Sequence, residues 1–118
     1  MNLSIIEKNI IPTLYISIEK QSIYQVLCAV RNIGKHDMES KEDVINEVMN
    51  IMGFTEQERI ASRKLSQQQM TQALQKMSDE KKIYFAKFIS NVALVGGATT
   101  NEGKFVFQLF NLFQIPQI

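Results

Sequence analysis

Between Ile23 and Ile33, eight of eleven positions are apolar: Ile23, Tyr24, Val26, Leu27, Cys28, Ala29, Val30 and Ile33. A helix over this segment has almost no polar face, so it must be wrapped on most sides by other elements. The rest of the chain supplies them. Val44, Ile45, Val48, Met49 and Met52 recur at helical spacing, with Glu42, Glu47 and Asn50 on the other side, and Gly53 ends the run. Ser40-Lys41-Glu42-Asp43 offers this helix an N-cap, and Gly34 offers the preceding one a C-cap. Thr55-Glu56-Gln57-Glu58 is a capping box for a short polar helix reaching about Leu65. Ser66 caps a helix carrying Met70, Ala73, Leu74 and Met77; Ser78 caps one carrying Tyr84, Phe85, Phe88, Ile89, Val92, Ala93 and Val95, broken by Gly96-Gly97. The last helix spans about Asn101 to Phe113, before Pro116.

The pattern predicts an all-α fold of about six helices. The first 18 residues read less simply. Leu3 to Ile11 suits a short helix ended before Pro12, while Leu14-Tyr15-Ile16-Ser17-Ile18 alternates in part like a strand. At 13.5 kDa the chain buries roughly two-thirds of its surface on folding, enough for one domain, and no linker composition divides residues 1–118.

Sliding the chain against itself reveals a weak repeat at an offset of 61 residues. Tyr24, Leu27, Cys28 and Ile33 fall on Phe85, Phe88, Ile89 and Leu94, and Val44 to Phe54 fall on Phe105 to Ile115 with apolar positions matched. This predicts a bundle of two helix-loop-helix units, about 19–54 and 78–116, joined by connecting helices over about 55–77.

Ala73 to Lys82, Phe88 to Val95 and the turn Gly96-Gly97-Ala98-Thr99-Thr100-Asn101-Glu102 carry a family resemblance. Over roughly residues 20–116 the chain resembles the tellurite-resistance TerB-like domains, in which a long helix ends in an Ala-x-Ala-Asp-Gly turn followed by Ser or Thr and a Glu. Gly97, Thr99, Thr100 and Glu102 match those features. The resemblance implies a TerB-like helical fold and a stress- or membrane-associated module with no established reaction. The turn Asp, associated with metal binding in some relatives, corresponds to Gly96 in the second unit and Lys35 in the first, so metal binding is not carried over.

Thirteen Lys+Arg against twelve Asp+Glu give a net charge of +1, which exerts no global pull towards nucleic acid or anionic lipid. The distribution is uneven. Residues 37–58 sum to −6 and residues 59–87 to +5. Within the acidic stretch Asp37, Glu39, Glu42 and Asp43 are candidate ligands for a divalent cation, the alternative reading of function. EF-hand spacing fails there, because counting from Asp37 the sixth residue is Glu42 instead of Gly and the twelfth is Val48 instead of Glu, and acidic residues at a helix start are explained by the helix dipole. Arg59, Arg63, Lys64, Lys81 and Lys82 form a candidate basic patch for weak nucleic-acid binding.

His36 is the only histidine and Cys28 the only cysteine, and neither has zinc-ligand or nucleophile spacing. No nucleophile elbow or phosphate loop occurs, so no enzymatic activity and no cofactor are expected. A single cysteine and an N-terminus without a signal-peptide pattern predict a cytoplasmic protein, and charged residues interrupt every apolar stretch before it reaches membrane-spanning length. What remains is a surface for another protein or a second copy. Phe107, Phe110, Phe113 and Ile115 are candidates for it, unless the two units bury them against each other. The expectation is a small, non-catalytic helical interaction module.

Overall fold

The computed structural model describes residues 3–116, and all of the regular structure it describes is helical. Seven helices follow in order: α1 (Ile5–Leu14), α2 (Ser17–Gly34), α3 (Met38–Met52), α4 (Glu56–Ser62), α5 (Gln67–Gln75), α6 (Asp79–Leu94) and α7 (Thr100–Leu112). The one beyond the six clear periodic segments is α1. It starts at a Ser4 capping box, where Ser4 Oγ accepts from the Glu7 amide and the Ser4 amide donates to Glu7. It runs through Pro12 because a proline close to a helix end costs only one late hydrogen bond. The strand-like alternation over 14–18 is a helix joint instead. Tyr15 is buried there, donates its hydroxyl to the Lys81 carbonyl at 2.6 Å, and leaves Ile16 and Ile18 exposed.

The all-round apolar segment behaves as its composition requires. α2 lies at the centre and packs against α3, α4, α5, α6 and α7. Its Ile23, Val26, Leu27 and Val30 join Ile45, Val48 and Met52 of α3 and Phe85, Phe88, Ile89 and Val92 of α6 in one core. Phe113, just past α7, packs its ring on Phe85 at 5.6 Å. No described helix is long and apolar enough to cross a membrane.

Boundaries differ from expectation at the α2–α3 connection. Gly34 is still helical, and the left-handed turn falls on Lys35 (φ 55°) and Asp37 (φ 50°). Gly34 serves a different need: a Cβ there would stand 2.7 Å from the Glu102 carboxyl carbon. α3 begins at Met38, not beyond a Ser40 cap, and its N-cap Asp37 makes no capping bond because its carboxylate faces His36.

Candidate functional site

Two features combine unusual chemistry with tertiary position. The first is a cluster of charges where the α2–α3 and α6–α7 connections meet. Lys41 lies on the same face of α3 as Ile45, Val48, Met49 and Met52, and its side chain is completely buried. Glu102, in the first turn of α7, is equally buried. The 61-residue offset superposes these two positions, so one unit carries a cation where the other carries an anion. Lys41 Nζ donates to the Val95 carbonyl at 2.9 Å and stands 3.2 Å from Glu102 Oε2, an ion pair without hydrogen-bond geometry.

Glu102 Oε1 accepts from the Thr99 amide at 3.1 Å, completing a capping box, and contacts His36 Nε2 at 2.5 Å. The other ring nitrogen of His36 meets Asp37 Oδ2 at 2.9 Å. Burial by itself would raise the pKa of Glu102, but His36, the Thr99 amide and Lys41 outweigh it and bring the carboxyl down to about 2. The two carboxylates, Asp37 first, hold the His36 imidazole above its ordinary value. The loops are shaped around this cluster. Gly96 has φ 74°, and a Cβ on it would stand 1.8 Å from Asp37 Oδ2, so the turn after α6 accepts only glycine beside that carboxylate.

The second feature is a cleft of about 250 Å³ between α2, α5 and α7. Val26, Leu109 and Phe113 form its buried floor, Met70 and Phe105 its half-buried walls, and Gln67, Gln108 and Leu112 its exposed edge. The lining contains no charged side chain.

The residues singled out from sequence are mostly dispersed or already engaged. Asp37 pairs with His36 and Glu42 with Arg31, while Glu39 and Asp43 are exposed; among the described residues no group of His, Cys, Asp and Glu is arranged to hold a metal ion. Three of the five basic candidates are engaged within the fold. Arg59 donates to the Tyr24 hydroxyl at 2.6 Å and lies over its ring, Lys81 pairs with Glu19 at 2.8 Å, and Lys82 is buried with its ammonium towards the Gln114 carbonyl. Arg63 and Lys64 are exposed. Of the four candidates for a partner surface, Phe113 and Ile115 are in the core, Phe110 is half-buried and Phe107 is exposed. For the first two the structure takes the alternative in which the units bury them internally.

Sequence reasoning passed over Lys41 and read Glu102 only as part of a turn. A signal for both was present: each places a charge on the inward stripe of an amphipathic helix, at positions the repeat superposes and with opposite signs. No family model, curated protein or solved structure matches the chain.

Proposed function

We propose that this protein is a non-catalytic helical interaction module, TerB-like in plan with two helix-loop-helix units, that takes an apolar side chain of a protein partner into the α2–α5–α7 cleft. The observation that carries this reading is the cleft itself. At about 250 Å³ it lies below the usual range for metabolite pockets, roughly 300–1,000 Å³, and suits one or two anchoring side chains of a partner. Its neutral glutamine edge and exposed Leu112 favour an uncharged amphipathic segment over a nucleic acid or an acidic peptide. The cluster of His36, Lys41 and Glu102 supports a structural role, since these side chains contact one another.

A photo-crosslinking side chain placed at Gln67, on the edge of the cleft, identifies what docks there. The affinity of the purified partner is then compared between the wild type and Leu112→Asp. Because Leu112 is half exposed, the variant keeps its melting temperature, and the reading expects an affinity loss of about tenfold or more. Unchanged affinity for Leu112→Asp sinks it, as does a partner that crosslinks from Phe107 and not from Gln67.

A further inference from the structure

Beyond partner binding, the geometry of the loop cluster carries a regulatory inference. His36 stands between the two connections with both ring nitrogens against carboxylate oxygens: Nδ1 at 2.9 Å from Asp37 and Nε2 at 2.5 Å from Glu102. A neutral imidazole has one N–H, so it satisfies one carboxylate and turns a lone pair on the other. The imidazolium satisfies both. The charges around the ring lead to the same assignment. They are Asp37 from its own loop, Glu102 from α7 and the Lys41 ammonium from α3; residues 95–99 contribute no ionisable side chain, and Arg31 of α2 is paired with Glu42. With His36 protonated the cluster is electrically balanced. With His36 neutral it holds one uncompensated negative charge around the fully buried Glu102.

We propose that His36 is a pH-operated latch that, when protonated, holds Asp37 against the α6–α7 turn while also bonding Glu102 in the first turn of α7 and, when neutral, keeps Glu102 and releases Asp37. Asp37 is the contact that opens because its carboxylate is about half exposed and water replaces the imidazolium there, whereas Glu102 is sealed in and keeps the ring's remaining N–H, Lys41 and the Thr99 amide. Release has somewhere to act. The Asp37 carboxylate lies directly over Gly96, and both Lys35 and Asp37 hold left-handed backbone conformations that ordinary residues adopt at a cost. Letting the carboxylate go frees the α6–α7 turn, and α7 is one wall of the cleft.

A group raised in the folded state contributes stability that is complete below its unfolded value and fades as pH rises through the folded value. The latch is therefore closed below the folded-state value of His36, which lies above the ordinary 6.5, and opens as pH rises through it. Because the chain has a single histidine, the test is unambiguous: a nitrogen-correlated NMR titration of the ring, read together with the amides of Gly96 and Gly97, in the wild type and Asp37→Asn. The proposal expects both ring nitrogens protonated at pH 6, a midpoint above 6.5, the glycine amides moving with the same midpoint, and a lower midpoint in Asp37→Asn. A ring midpoint at or below 6.5, or glycine amides that do not follow the ring, overturns it. His36→Gln gives a second, thermal reading: the melting-temperature difference from wild type shrinks from pH 6 to pH 8.5 if the latch exists, and a difference constant with pH refutes it.

Discussion

Among the described residues three lysine–glutamate pairs tie separate helices of this bundle together, and the two shorter ones, Lys81–Glu19 and Lys41–Glu102, are built alike up to a point. In each, the glutamate sits in the first turn of its helix and accepts a hydrogen bond from the backbone amide three residues before it: Glu19 from Ile16 at 2.9 Å, Glu102 from Thr99 at 3.1 Å. In each, the second partner is a lysine from a distant helix, Lys81 at 2.8 Å or Lys41 at 3.2 Å. The difference is water. The Lys81 side chain keeps 20% of its surface exposed and Glu19 keeps 8%, whereas Lys41 and Glu102 keep none. The longer pair is thus the one that depends more on its partner. A buried ion has no solvent to fall back on when its counterion is removed, and a wetted one does.

The largest effect that tests this contrast is expected from Lys41→Met. It leaves Glu102 buried with His36 as its only cationic neighbour and the Val95 carbonyl without its donor, and should cost about 3–5 kcal/mol, the usual loss when one member of a buried pair is removed. Chemical denaturation at pH 7 measures it. The double variant Lys41→Met with Glu102→Met should recover much of that loss, because the uncompensated charge is gone. A single variant costing less than about 1 kcal/mol would break the comparison, since Lys41 would then behave as a surface residue.

How legible this molecule was depends on which physical force placed each residue. The apolar periodicities of α2, α3 and α6 supply most of the core because hydrophobic burial acts through spacing that any sequence displays, although Ala29 and Ile33 of the α2 run are exposed. Caps were legible in part: the Thr55–Glu58 box forms and Ser66 caps α5 as the residue types require, whereas the Ser40 cap does not form because α3 starts earlier, at Met38. Connections were less legible. The Lys35–Asp37 turn obeys a carboxylate, Glu102, that lies 66 residues from His36 in sequence, and no local rule anticipates that Gly34 is needed to let it in. The acidic stretch misled for the same reason. Its charges are local in sequence, but Asp37 and Glu42 answer to His36 and Arg31 in space, and Glu39 and Asp43 to water. Helix faces were legible only in part, since the stripe on α7 does not say which half meets the core and which half edges a cleft.

The partly wetted pair supplies the intermediate effect. Lys81→Met removes the counterion of Glu19, but water reaches the vacated position and the Ile16 amide still holds the carboxylate. A loss of about 1 kcal/mol is expected by the same denaturation measurement, several times smaller than for Lys41→Met although the ion-pair distance is shorter. Equal losses from the two lysine variants would mean that burial is not what separates the pairs.

The smallest effect is expected from Phe107→Ser. Phe107 retains 65% of its surface exposed on α7, is absent from the lining of the cleft, and contributes to neither ion pair. Its removal should change stability by no more than about 0.5 kcal/mol, as for most surface substitutions. The measurement still discriminates, because an aromatic ring left exposed by the fold stays there either for a partner or for no structural reason. If Phe107→Ser leaves both stability and partner affinity unchanged while Leu112→Asp abolishes binding, the interacting face of α7 is the cleft side alone. If instead it halves self-association measured by light scattering while stability holds, a second copy is docking on the opposite side of α7. The buried Lys41–Glu102 pair, which fixes the first turn of this helix, would then orient two faces at once.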